Sequence, residues 1–91
     1  MFKKIKESEN LFLKNIARYG EIAQNNKTVE ELAELTVELA KHLNGNQNKD
    51  KIADEIADVL ITIYQTIMIL DLKAAVKRRI KYKLKRLEKR L

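Results

Sequence analysis

The sequence contains no cysteine, no proline and no tryptophan, and its only glycines are Gly20 and Gly45. Without cysteine the chain has neither a disulfide scaffold nor a thiolate zinc site, and it has no cysteine nucleophile. No alternating apolar run indicates a β-strand, so the two glycines separate a series of helices. The longest uncharged run, residues 59–70, contains polar residues and is too short to span a bilayer. We therefore expect an all-α, soluble, cytoplasmic protein with no membrane partner.

The length of 91 residues predicts a single domain, residues 1–91, with a modest core that self-association can enlarge. Apolar residues make up 45% and charged residues 35%, which favours a globular over a disordered chain. The net charge of +6 is a local feature, because residues 73–91 contain ten Lys or Arg and one acid, Glu88. Such a segment favours anionic partners: phosphates, nucleic acid or an anionic membrane surface.

Apolar periodicity predicts four helices. The expected bounds are Glu9–Tyr19 for helix one, an end at Leu43 for helix two, Asp50–Leu70 with Asp50 as cap for helix three, and Ala74–Arg90 for helix four. The start of helix two stays open. Thr28 and Glu31 fit a capping box, but the helix can equally begin just after Gly20.

Helix three is apolar around most of its circumference, which predicts a central position in a four-helix-type bundle completed by homo-oligomerisation. Its only polar strip consists of Asp54, Glu55, Asp58, Thr62, Gln65 and Thr66. In helix one, Leu11, Phe12 and Ile16 are expected to face inward.

Two acidic clusters stand in stretches without any Lys or Arg, residues 28–40 and 52–72. Their members are Glu30, Glu31, Glu34 and Glu38 on helix two, and Asp54, Glu55 and Asp58 on helix three. On helix two the acidic face lies opposite an arc made of Val29, Leu32, Ala33, Thr36 and Ala40. Like charges one turn apart repel each other. The clusters are therefore either solvated faces favoured by the helix dipole or groups that face a compensating partner.

The chemistry of the acidic clusters indicates a hard cation, because carboxylates on an otherwise apolar helix need a partner. Mg²⁺ prefers oxygen ligands at about 2.0–2.1 Å, keeps several waters and shares its sites with substrate phosphates. Two helices that each offer two carboxylates one turn apart can hold such ions between them. The only histidine, His42, is expected at the surface, so neither a softer metal nor a nucleophile–His–acid set is favoured.

The segments "EELAEL", "DEIADVLI" and "YKLKRLEKRL" occur in this order. Together with "YGEIAQ" they resemble the MazG-like nucleotide pyrophosphohydrolases of the all-α NTP pyrophosphatase superfamily, especially short phage and prophage-type members. That family carries E-x-x-E on one helix and E-x-x-D on the next, which correspond here to Glu31-x-x-Glu34 and Glu55-x-x-Asp58. The similarity covers roughly residues 19–91.

The resemblance implies a helical bundle that forms a homodimer or homotetramer. It implies Mg²⁺-dependent hydrolysis, with Mn²⁺ as a substitute, of a nucleoside triphosphate to the monophosphate and pyrophosphate. The implied metal ligands, which are also catalytic, are Glu31, Glu34, Glu55 and Asp58. Glu38 extends the acidic face and is expected to assist a ligand or orient water. The implied substrate-binding residues are Lys83 and Arg86 for the phosphates and Gln24 for the nucleoside.

The basic helix four supports a rival interpretation, in which the chain is a small nucleic-acid-binding or interaction module without catalysis. Its cations would then bind phosphates with counterion release, and the acids would be passive. The chain has no recognisable helix-turn-helix pairing, and its few aromatic residues are not interleaved with basic ones as a stacking platform. Nucleic acid is therefore not the partner we expect.

Overall fold

The computed structural model describes residues 1–91 and consists of five α-helices without strands. The helices are α1 Phe2–Glu7, α2 Glu9–Tyr19, α3 Glu21–Leu43, α4 Lys49–Ile69 and α5 Lys73–Arg90. The all-α prediction is confirmed, and the short α1 is an element that the sequence analysis did not predict. No helix is both long and apolar enough to span a membrane.

Gly20 is the junction between α2 and α3. Its φ of 93° lies in the region that favours glycine, and its amide donates to the Ile16 carbonyl oxygen at 2.8 Å. α3 begins at the next residue, so the alternative of a start just after Gly20 is the correct one. Thr28 lies inside α3 and is not a cap, because its hydroxyl is engaged with α4.

The turn between α3 and α4 is closed by Asn48. Its Nδ2 donates to the Glu38 carbonyl oxygen at 2.9 Å and to Glu38 Oε1 at 3.1 Å. α4 begins at Lys49 with Asn48 as the N-cap position, and no side chain caps it. The prediction of Asp50 as the cap is therefore wrong, because the polar closure of this turn is directed to α3 and not to the first turn of α4.

The interior between α3 and α4 is polar. Of the nine buried residues only Phe12 and Val59 are hydrophobic. The others are Gln24, Thr28, Glu31, Glu38, Glu55, Thr62 and Gln65. The radius of gyration of 15.2 Å exceeds the value of about 12 Å expected for a compact domain of this length. The single chain is therefore extended and has little hydrophobic core of its own.

α2 packs on the hairpin through Phe12, whose ring lies 5.9 Å from the ring of Tyr64 on α4. The inward position of Phe12 is confirmed and Ile16 is half-buried, but Leu11 is 64% exposed and its predicted burial is wrong. Near this contact, Lys73 of α5 forms an ion pair with Glu9 of α2, which also accepts a hydrogen bond from the Tyr64 hydroxyl. These contacts tie the start of α5 to the rest of the chain.

The surface of α3 that points away from α4 is apolar and exposed. This surface, which we call the outer face of α3, consists of Ile22, Val29, Leu32, Leu39 and Leu43. α5 likewise leaves Ile80, Leu84, Leu87 and Leu91 exposed, with every residue beyond Val76 at the surface. Clusters of exposed large apolar side chains of this kind commonly mark interaction surfaces.

Candidate metal centre

α3 and α4 bring three carboxylates together. One oxygen each of Glu31, Glu34 and Glu55 lie within 4.8 Å of one another. Glu31 and Glu34 are three residues apart on α3, so they share a face, and Glu55 reaches them from the adjacent α4. We call these three residues the carboxylate centre. The structure thus brings together three of the four residues that were predicted as metal ligands.

Two members of the carboxylate centre are deeply buried. Glu31 is 4% exposed and Glu55 is 3% exposed, whereas Glu34 lies at the surface. Oε2 of Glu31 and Oε2 of Glu55 are both buried without any hydrogen-bond partner. A buried carboxylate oxygen without a donor is costly, so the interpretation of these residues as a solvated face is wrong for Glu31 and Glu55.

Two carboxyl groups at or beside the carboxylate centre, those of Glu34 and Asp58, have raised pKa values. The pKa of Glu34 is raised above its ordinary value, first because its protonated form can donate a hydrogen bond to Glu55 and then because Glu31 and Glu55 repel its charge. The pKa of Asp58 is raised by partial desolvation of its carboxyl group, although the residue is exposed, and by repulsion from Glu31 and Glu55. Asp58 therefore lies beside the centre and senses its charge, but it does not converge with the other three.

Two lysines border the carboxylate centre. Lys27 Nζ lies 3.1 Å from Glu31 Oε1, and Lys51 Nζ lies 3.2 Å from Glu55 Oε1. Each carboxylate raises the pKa of its lysine by hydrogen bonding and by charge attraction. Neither lysine was predicted as part of the site, because both lie just outside the stretches that lack Lys and Arg. The signal that could have found them is the spacing of four residues between each lysine and its glutamate, which places both on one helix face.

Glu38 is adjacent to the carboxylate centre without being part of it. A surface cavity of about 320 Å³ is lined by Glu34, Glu38, Lys51 and Glu55, together with Ala33 and Val37. Hydrogen bonds from Asn48 and Lys41 hold the pKa of Glu38 below its ordinary value. Its carboxylate is thus already satisfied, and its visible task is to fasten the α3–α4 turn.

Gln24 lies in a row of polar side chains that continues from the carboxylate centre along α3. Asn15 Nδ2 donates to Gln24 Oε1 at 2.9 Å and to Gln65 Oε1 at 2.8 Å, which joins α2, α3 and α4. The Nε2 group of Gln24 is buried and has no acceptor. The Thr28 hydroxyl, one turn further, donates to the Thr62 carbonyl oxygen at 3.0 Å and lies 2.8 Å from Thr66 Oγ1.

The two cations proposed for phosphate binding lie apart from this arrangement. Lys83 and Arg86 are exposed on α5, form no ion pair with a carboxylate and do not line the cavity. The Arg86 guanidinium instead lies 5.9 Å from the centre of the Tyr82 ring, a cation–π contact within α5. His42 is exposed in the last turn of α3, as expected.

Comparison of the chain with protein-family models, with curated proteins and with solved structures finds no match.

Proposed function

We propose that the chain is a Mg²⁺-dependent nucleoside triphosphate pyrophosphohydrolase of the MazG-like kind, acting in the cytoplasm. One observation carries the proposal: carboxylates from two adjacent helices converge within 4.8 Å, and two of their buried oxygens have no partner. A side-chain arrangement built only to stabilise the fold would not leave two anionic oxygens buried and unsatisfied.

The residues of the carboxylate centre fit a hard divalent cation. All of the donors are carboxylate oxygens, which Mg²⁺ and Mn²⁺ prefer, and the two unpartnered oxygens are available as ligands. Glu31, Glu34 and Glu55 would hold the ion, and Asp58 stands beside them as the fourth candidate. When bound, Mg²⁺ supplies positive charge for the phosphate oxygens and lowers the pKa of water.

The remaining roles fall to side chains around the centre. The raised pKa of Asp58 makes its carboxylate a better base, so we assign it to accept the proton of the attacking water. Glu38 keeps the α3–α4 turn and its cavity in shape. The free Nε2 of Gln24 would donate to the nucleoside, and Lys83 and Arg86 would bind the phosphates that leave as pyrophosphate.

The proposal includes a homodimer or homotetramer. The outer face of α3 exposes large apolar side chains, whereas the inside of the hairpin is polar. Burying that face between two copies would supply the hydrophobic contact that the single chain lacks and would complete a four-helix-type bundle.

The direct test is to incubate the protein with Mg²⁺ and a panel of ribo- and deoxyribonucleoside triphosphates and to measure monophosphate and pyrophosphate. We expect the two products in equal amounts. Glu55→Gln should reduce the rate by about 100-fold or more, since it removes a charged ligand. Asp54→Asn is the matched control, because Asp54 is an exposed neighbour on α4 outside the centre. Circular dichroism of both variants reports whether the helices are retained. Inactivity of the folded wild type with every nucleotide would refute the proposal.

The exposure of α5 favours a second candidate, a non-catalytic nucleic-acid-binding module. Its ten cations are all at the surface. Such a module would bind duplex DNA with an affinity that falls steeply with salt and would leave nucleotides intact. A pyrophosphohydrolase would instead hydrolyse nucleotides and would not bind duplex DNA in this way. The nucleotide panel and a salt titration of DNA binding together distinguish the two candidates.

A further inference from the structure

Each buried glutamate of the carboxylate centre is half satisfied. In Glu31 and in Glu55, Oε1 is paired with a lysine four residues earlier on the same helix, and Oε2 has no partner. Two different helices thus repeat the same arrangement at the point where they meet. The two lysines are the cations paired with the buried charges of the centre.

We propose that Lys27 and Lys51 are internal counter-cations that compete with a divalent ion for the negative charge of Glu31 and Glu55, so that these two lysines set the metal affinity of the centre. The inference rests on the proposed metal centre and adds to it a built-in competitor. As a consequence, the two ion pairs stabilise the hairpin before the metal binds and lower its affinity for the metal.

Burial decides which partner moves. The side chains of Glu31 and Glu55 are 6% and 4% exposed, so the carboxylates cannot turn to solvent without opening the hairpin. The side chains of Lys27 and Lys51 are 55% and 59% exposed, and a lysine in this setting can move its ammonium group into water at little cost. A divalent ion that approaches the carboxylates therefore drives the lysines outward and leaves the glutamates in place.

A rival role for the lysines makes the opposite prediction. If the ammonium groups only hold the glutamates in a geometry suited to the metal, then removing a lysine loosens the ligands and weakens metal binding. If the lysines compete with the metal, removing one strengthens binding, because the metal is no longer repelled by that ammonium group and no longer shares the carboxylate charge with it. The sign of the change in affinity therefore distinguishes competition from positioning.

Lys41 provides a matched control within the same hairpin. Its Nζ lies 3.2 Å from Glu38 Oε2, and its side chain is 56% exposed, which closely resembles the geometry of Lys51. Glu38, however, stands outside the carboxylate centre and also accepts a hydrogen bond from Asn48. Replacing Lys41 therefore removes a similar surface charge and a similar ion pair without removing a competitor of the metal.

The experiment is a titration of the full-length protein with Mn²⁺ alone, followed by electron paramagnetic resonance or calorimetry, for wild type, Lys27→Met, Lys51→Met, the double variant, Lys51→Arg and Lys41→Met. We expect each single Met variant at the centre to bind about two- to five-fold more tightly and the double variant about ten-fold more tightly. Lys51→Arg and Lys41→Met should bind like the wild type. Helicity is measured in parallel so that only folded variants are compared.

The outcomes separate this inference from the proposed function. If the wild type binds Mn²⁺ and Lys27→Met and Lys51→Met bind it with the same or a lower affinity, the inference that the lysines compete with the metal is refuted. The proposed metal centre is not affected by that result. Absence of Mn²⁺ binding in every folded protein, including the double variant, overturns the metal centre itself and the competition with it. Equal tightening in Lys41→Met would assign the effect to net surface charge and would also overturn the inference.

Discussion

The two faces of α3 differ in chemistry and in surroundings. The face against α4 is polar and buried, with Gln24, Thr28 and Glu31 each at most 6% exposed. The outer face is apolar and open, with Val29 at 65% exposure and Leu32 at 41%. In an isolated helical hairpin the hydrophobic effect would favour the reverse orientation. The difference shows that the hairpin buries its polar and carboxylate side chains and leaves apolar side chains of α3 exposed.

The largest effect should come from charging the outer face. We expect Val29→Lys to raise the dissociation constant of the proposed homo-oligomer by about 100-fold or more, because it would bury an unpaired charge in the proposed interface. Sedimentation velocity measures the loss of the larger species. Asn10→Lys adds the same charge on the exposed surface of α2 and should leave the assembly intact. A wild-type chain that sediments as a monomer at all concentrations would contradict this prediction.

The same substitution, threonine to valine, can be made on the buried and on the exposed face of α3, and the effects on stability can be compared. Thr28→Val removes a buried hydroxyl that bonds to α4 and should lower the free energy of unfolding by about 1–2 kcal/mol. Thr36→Val removes an exposed hydroxyl that bonds only to the Leu32 carbonyl oxygen of its own helix. It should be neutral or stabilising, because it adds a methyl group beside the outer face. Urea unfolding of both variants checks the difference, and equal losses would show that burial of the polar face contributes nothing.

The effect of pH should be smaller and should reveal the repulsion on the polar face. The pKa values of Glu34 and Asp58 are raised in the fold above ordinary values of 4.5 and 3.8. The folded chain therefore binds protons more tightly than the unfolded chain, so stability rises as pH falls from 7 toward 5. Glu9 and Glu38 have lowered pKa values, and the stability they add is lost only as pH falls below about 4.5.

Melting temperatures measured at pH 7 and pH 5 in the presence of a chelator test this sign. Glu34→Gln should raise the melting temperature at pH 7 by about 1–3 °C and should reduce the difference between the two pH values. Glu30→Gln, which changes an exposed acid on the same helix, is the control. If the wild-type chain became less stable as the pH is lowered from 7 to 5, repulsion between these carboxylates would not be a significant destabilising force.

Much of the fold follows from local signals. The bounds of α2 match their prediction because Gly20 ends the helix at a positive φ that other residues avoid. The ends of α3 and α4 were expected within a residue or two, since the loop after Leu43 and the break at Asp71 are local as well. Leu11 was placed wrongly because periodicity defines an apolar stripe but not which part of it meets a neighbour.

The sequence predicted which carboxylates belong to the candidate site better than it predicted their burial and their contacts. Spacing alone put Glu31 and Glu34 on one face of α3 and Glu55 and Asp58 on one face of α4. It did not decide that Glu31 and Glu55 are buried while Glu34 and Asp58 remain open, because that depends on how the two helices are rotated about their axes. The engagement of Glu38 with Asn48 also escaped the sequence analysis, since it joins residues across a turn.

The order of residues determined four of the five helices, the all-α class, the separation of acidic from basic stretches, and which carboxylates share a helix face. Each of these depends only on neighbours within a few positions. Tertiary structure decided that the polar face of α3 turns inward, that three carboxylates converge, and that two lysines stand against them. Such contacts depend on the relative rotation and approach of separate helices, and these are set by packing over the whole chain.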